Sequence, residues 1–439
     1  MTMKKFLFSI SCLLFLSAAQ AQDDVYPAKP YTGKLYIING TVHVGNGQVL
    51  ENATVEINNG KIVSVGKSTP SGDAKVIDAK GQQVYPGLIL PVTDLGLHEI
   101  ANGVRGSNDY RELGDFNPSI RAVVAYNTDS KVINTLKSNG ILLAGVTPQG
   151  GTISGSSSVV QLDAWNWEDA AYKLDNAIHL EMPSFIVRPG RGNFAAFFAS
   201  QGRPQEDPTK KALEKIDQIK TFFRQAKAYS EEGSHRETNL KFEAVKGLFE
   251  KKQKLFVHAD QVKQMLTAID MGKELGIDVV LVGASESWQI ADILKQNNIP
   301  VILNDEHALP ATEDDDVDQP YKTPYMLQKA GVLFALNDEH EESRYRNLPF
   351  NAGTAAAYGL GKEGALQAIT LNTAKILGID DRTGSIEAGK DANIVISTGD
   401  ILDMRTSNIT HALIQGREVS LDNKQKQLYE RYKAKYNLK

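Results

Sequence analysis

Two segments of this 439-residue chain repeat one another, Asn304-Asp305-Glu306-His307 and Asn337-Asp338-Glu339-His340, each just after a short apolar run. Carboxylates beside imidazoles are donors that zinc or manganese accept, so His307 and Asp338 are candidate metal ligands. Chance recurrence of polar loop residues is the competing explanation. A third candidate is His258, which closes the run Leu255-Phe256-Val257 and has Asp260 two residues on. An imidazole ending a buried strand can ligate or move a proton, with Asp260 orienting it or meeting a substrate; a hydrogen-bonded core histidine is the alternative. Further on, Arg344 and Arg346 precede Asn347-Leu348-Pro349-Phe350. A guanidinium there could hold a substrate carboxylate by a two-pronged contact, or make a surface ion pair.

The elements that must carry these residues show in the apolar pattern. Alternation on both sides of Asn39-Gly40 and of Asn59-Gly60 reads as β structure over residues 34–85, and Asn-Gly between alternating segments is a strong hairpin signal. From about residue 86 the rhythm changes. Short apolar runs now alternate with helical stretches: Val84 to Thr93, Ile141 to Leu143, Phe185 to Val187, Leu255 to Val257, Val279 to Val282, Pro300 to Leu303 and Val332 to Leu336. Near-continuous apolar strands joined by single helices imply a buried parallel sheet, closed as a barrel or open. No glycine-rich phosphate loop opens a helix after the first strand, which removes the main support for a dinucleotide fold. The charged stretch from Gln201 to Glu250 reads as a solvated helical insertion, and Glu286 as a first-turn helix residue. Gly384 to Ile386, Ala392 to Ile396 and Ala412 to Ile414 return to β character, and Asn423 to Lys439 reads as a terminal surface helix.

Composition narrows the partners. A net charge of −5 argues against nucleic acid or an anionic membrane surface, since either needs a basic face. Lys4 and Lys5, the apolar run Phe6 to Leu16 and the small-residue ending Ala19-Gln20-Ala21 form a signal-peptide pattern over residues 1–21. The expected destination is the periplasm or beyond. Cleavage would remove Cys12, the only cysteine, leaving neither disulfides nor thiolate ligands. No later apolar run is long enough to span a bilayer.

Two blocks carry a family resemblance. The first runs from Ile38-Asn39-Gly40 through Asn59-Gly60-Lys61-Ile62 and Ile77-Asp78-Ala79-Lys80-Gly81 to Tyr85-Pro86-Gly87-Leu88-Ile89. The second runs from Ala368 to Lys375 and on through Gly384-Ser385-Ile386-Glu387-Ala388-Gly389-Lys390-Asp391-Ala392. Together they resemble the amidohydrolase superfamily, in particular its imidazolonepropionase-like branch; Gly150-Gly151-Thr152-Ile153-Ser154-Gly155 is similar to a glycine-rich loop of that branch. The resemblance implies an α/β fold, a (β/α)8 TIM barrel over residues 86–383. It also implies a small β-sandwich built from 22–85 and 384–420, with 421–439 as the terminal helix. It further implies hydrolysis of C–N bonds in small, often cyclic amides. One or two divalent metals would activate water, and a strand-eight carboxylate would move protons.

The resemblance also marks what is missing. In metal-binding relatives Pro-Gly-Leu-Ile is followed by Asp-x-His-x-His, whereas here the five positions are Leu90-Pro91-Val92-Thr93-Asp94. Only Asp94 could serve as an oxygen ligand, or it caps the next loop. The strand-five histidine is kept as His258. Gly283 stands where strand six should supply another, and no strand-four lysine or glutamate is evident. Asp338 matches the strand-eight carboxylate. The implied site is thus degenerate: His258 and Asp338 catalytic, and His258, Asp94, Asp338 and His307 as the metal set. Asp260, Arg344 and Arg346 are expected at the substrate. Three functions stay open. One is a C–N hydrolase with one divalent metal, zinc or manganese, or none. Another is a silent barrel that binds a small ligand or pairs with an intact homologue. The last is a metal-free lyase or isomerase. A homo-oligomer fits any of them.

Overall fold

The computed structural model describes residues 26–99, 110–186, 207–232, 234–304, 306–338 and 344–438. The expected signal segment, residues 1–21, lies outside them, as do Asp305, Glu339 and His340 of the repeated segments. No helix among the described residues is long and apolar enough to cross a membrane.

The described residues open with five strands, β1 (Lys34–His43), β2 (Val49–Asn58), β3 (Lys61–Gly66), β4 (Lys75–Asp78) and β5 (Gln83–Pro86). Asn59-Gly60 forms the expected hairpin between β2 and β3, with φ of 48° and 78° at its two corners. Asn39-Gly40 does not form one. Both residues lie inside β1 as a bulge where the register against β2 shifts. There β1 changes parallel partner, from β4 at Leu35–Ile38 to β5 at Thr41–Val42. An extra residue kinks a strand and raises its twist, which lets one strand serve two neighbours. Near the C terminus, β14 (Ile394–Ser397) pairs with β5, and β15 (Ile409–Ile414) and β16 (Arg417–Glu418) extend the same sheet. The two ends of the chain therefore share one bent sheet of eight strands around a small core that includes Ile37, Val55, Ile57, Ile394 and Leu413.

Between them lies the barrel. Its strands are β6 (Leu88–Thr93), β7 (Ile141–Val146), β8 (Ile153–Gln161), β9 (Ala171–Glu181), β10 (Lys254–Ala259), β11 (Val279–Gly283), β12 (Val301–Leu303) and β13 (Phe334–Leu336), adjacent in that order. The (β/α)8-type barrel holds, with one correction to the all-parallel expectation: β8 runs antiparallel to both β7 and β9. The cause is loop length. Thr147–Thr152 is too short for a crossover, which needs a dozen or more residues, so the chain doubles back through Gly150-Gly151. The run Phe185 to Val187 is not a strand in its described part; that place in the sheet belongs to β9. Where β13 should meet β6, the side chain of Asn337 spans the seam. Its Oδ1 accepts from the Val92 N–H at 3.2 Å, and its Nδ2 donates to Asn304 Oδ1 at 2.9 Å.

The charged stretch after residue 201 also differs from expectation. Helices Pro208–Glu231 and Leu240–Phe249 cover the barrel between β9 and β10, with Ala212, Ile216, Ile219, Phe223 and Ala226 buried along one stripe. Its lysines and glutamates sit on the outer face of an amphipathic cover. The terminal helix, Lys424–Lys435, is as expected and is capped by Asn423, whose side chain accepts from the Lys426 N–H.

Candidate functional site

The carboxyl ends of every barrel strand except β8 converge on one rim, where loops can vary without disturbing the core. Two cavities open there, of 520 and 300 Å³, and they share two residues, Glu181 and His258. The parallel register explains the meeting. His258 of β10 lies opposite Glu181 of β9, and His179 opposite Phe256. Alternate residues face one side, so His179 and Glu181 both turn toward the His258 side of the sheet.

His179 is 1 % exposed, and its Nδ1 lies 3.0 Å from His258 Nε2. Burial holds its pKa well below the usual histidine range, and the neighbouring imidazole of His258 pushes the same way. His179 is therefore neutral. Its Nε2 is buried and has no partner among the described residues. A stranded N–H is rarer in proteins than an under-used acceptor, which assigns the ring proton to Nδ1. His179 then donates to His258 Nε2, and His258 carries its own proton on Nδ1. That N–H faces Glu181 Oε1 at 3.6 Å, beyond hydrogen-bond reach but close enough to feel the carboxylate. The Glu181 side chain is 59 % exposed in the mouth.

The remaining expected residues are distributed as follows. Asp94, at the end of β6, is 8 % exposed and lines the smaller cavity. The Tyr345 hydroxyl donates to its Oδ1, and His98 Nδ1 stands 3.8 Å from its Oδ2. Asp338 is 1 % exposed; its Oδ2 accepts from Asn351 Nδ2 at 3.0 Å, and it lines neither cavity. His307 is exposed, 2.8 Å from the Thr354 hydroxyl. Asp260 lines the larger cavity. Arg344 and Arg346 line neither; the helical turn Tyr345–Asn347 presents Tyr345 instead, with Arg346 exposed. Glu286 acts elsewhere, since its Oε2 accepts from the Val262 N–H at the head of helix Val262–Leu275.

Four residues of the mouth escape a reading of the sequence. His179 and Glu181 sit two apart in Ala177-Ile178-His179-Leu180-Glu181, an alternation that signals a half-buried strand. Arg111 and Tyr345 have no such signal, because they reach the smaller cavity from a loop and from a single helical turn.

Whether these residues fit a divalent metal follows from the donors. Val92 offers none, and Asp94 is tied to Tyr345. His258 Nε2 is tied to His179, and Asp338 to Asn351. Among the described residues no three of His, Cys, Asp and Glu are placed to share one ion. The expected set of His258, Asp94, Asp338 and His307 is therefore not assembled as one metal site.

Comparison with known proteins agrees with the architecture. Residues 329–419 match the model of the amidohydrolase family. The imidazolonepropionase of Thermoplasma volcanium is 25% identical over 375 residues, which covers 82% of this chain and 88% of the relative. That of Streptococcus sanguinis is 24% identical over 399 residues, covering 85% and 91%. Among solved structures, an amidohydrolase from Thermotoga maritima superposes with a TM-score of 0.74 at 25% identity, covering 88% of this chain and 99% of that one. A Xaa-Pro dipeptidase shares the fold at a TM-score of 0.53 and 14% identity, with 88% and 100% covered.

Proposed function

Because the chain belongs to the amidohydrolase superfamily, on its imidazolonepropionase-like branch, we propose that it is an exported hydrolase of non-peptide C–N bonds. Its substrates would be cyclic amides or small dipeptide-like amides. The observation that carries this reading is the meeting of Glu181 and His258 at the junction of two cavities on the catalytic rim. Family relatives work with divalent metals, but the donors among the described residues are not assembled to hold one, so no step is assigned to an ion. The exposed Glu181 carboxylate takes a proton from water, which attacks the amide carbon. It then returns that proton to the leaving nitrogen as the C–N bond breaks. The His258 N–H steadies the carboxylate, and buried His179 holds the His258 ring in the tautomer that does so.

A panel of cyclic amides and N-acyl amino acids, assayed for released carboxylate, tests this. The mature chain should hydrolyse at least one member, and Glu181→Gln should lower that rate by about a hundredfold or more. If Asp338→Asn abolishes turnover while Glu181→Gln does not, the proton-transfer role passes to Asp338. Elemental analysis of the same sample reports zinc and manganese. Near-stoichiometric metal would overturn the metal-free scheme. The valine at position 92, where a ligand would be needed, favours the second reading, a silent barrel that binds a small ligand or pairs with an intact homologue. No turnover across the panel, with and without added zinc or manganese, would select it.

A further inference from the structure

Among the described residues, the carboxylates that line the larger cavity, Glu181, Asp260, Glu306 and Asp315, face no lysine or arginine in its wall. The key group is Asp260. A Cβ on Gly283 would meet its Oδ1 at 2.7 Å, so the carboxylate occupies the space above the end of β11. Gly283 sits at φ +87°, a conformation that keeps the position open to glycine. The backbone groups of Asp260 are engaged: its N–H donates to Gln264 Oε1 at 3.2 Å, and its carbonyl accepts from Glu286 N–H at 3.1 Å. Its carboxylate, by contrast, receives no hydrogen bond and pairs with no cation among the described residues. A half-buried carboxylate left without a counter-charge is unfavourable until a ligand supplies one. Among the described residues no three of these carboxylates form one donor group; an organic cation requires none, because its own donors are spread over several atoms. Trp288 adds an aromatic wall to the same cavity, a surface organic cations favour.

We propose that the larger cavity takes an organic cation, an amine or guanidinium group of the substrate, with the Asp260 carboxylate as its counter-ion. This rests on the hydrolase reading for the word substrate, since it places the cationic arm on one side of the Glu181–His258 junction. It makes Asp260 a specificity-determining residue of that reaction.

Two measurements on the full mature chain test the proposal. Calorimetric titration with agmatine, a small dication with no amide to cleave, should show binding that weakens by about tenfold or more in Asp260→Asn and is retained in Asp260→Glu. Turnover of acetyl-lysine should exceed that of acetyl-norleucine by about tenfold or more, with the ratio collapsing toward one in Asp260→Asn. A circular-dichroism melt checks that each variant is folded. Equal agmatine binding by wild type and Asp260→Asn, or none by wild type, overturns the proposal. A norleucine rate equal to the lysine rate does so too, while leaving the hydrolase reading intact. Asp260-dependent agmatine binding without hydrolysis of any amide would sink the hydrolase and keep the cation site.

Discussion

Replacing His179 by asparagine should flatten the acid limb of the protein's stability curve. In the folded chain His179 is 1 % exposed and its pKa lies well below the ordinary 6.5, chiefly through burial. In the unfolded chain the ring titrates near its ordinary value. As pH falls, the unfolded state therefore binds this proton first. The stability tied to neutral His179 is fully present above about pH 6.5 and is lost as pH falls from there toward the folded-state value. The slope is about 1.4 kcal/mol per pH unit, undiminished by solvent because the ring is buried. Between about pH 7.5 and pH 5.5 wild type should thus lose on the order of 1 kcal/mol more than His179→Asn. Lost packing against Phe256 lowers the variant equally at both pH values and cancels in this difference. Urea unfolding of both proteins at the two pH values measures it. Parallel losses would mean that the His179 ring is protonated or solvated in the folded chain, and the tautomer assigned to His258 would fall with it.

Other outcomes follow from single contacts. Tyr345→Phe removes the hydroxyl that donates to buried Asp94 and should destabilise by about 1–3 kcal/mol in urea; a silent substitution would show that Asp94 does not depend on it. Phe223→Ala empties a fully buried site under helix Pro208–Glu231 and should destabilise by about 3–5 kcal/mol. A loss below about 1 kcal/mol would return that helix to a detachable insertion. Gly283→Ala places a methyl against Asp260 at a backbone angle that favours glycine, and should destabilise by about 1–3 kcal/mol. It should also weaken agmatine binding, and unchanged binding would separate Asp260 from that cavity.

Much of the fold can be read before any coordinates. Apolar runs separated by helices announce a buried parallel sheet, which only the family resemblance closes into a barrel, and Asn59-Gly60 announces its hairpin because both corners need positive φ. Asn39-Gly40 carries the same signal and becomes a bulge, since β1 has to leave β4 for β5 at that point. Local chemistry says only that the chain can bend there. Which bend forms depends on distant partners.

The mouth divides the same way. His258 and Asp260 are legible because a polar pair closes a buried apolar strand, whereas Val92 and Asp94 draw notice only beside the family resemblance. The sequence by itself determines which donor atoms exist and which are missing. It does not determine which of them meet. Glu181 comes to His258 through strand register, Asp94 is engaged by a tyrosine 251 residues away, and Asp338 turns to Asn351 rather than to a cavity. Those pairings are decided by the tertiary structure, because hydrogen bonds and burial act over a few ångströms whatever the separation along the chain.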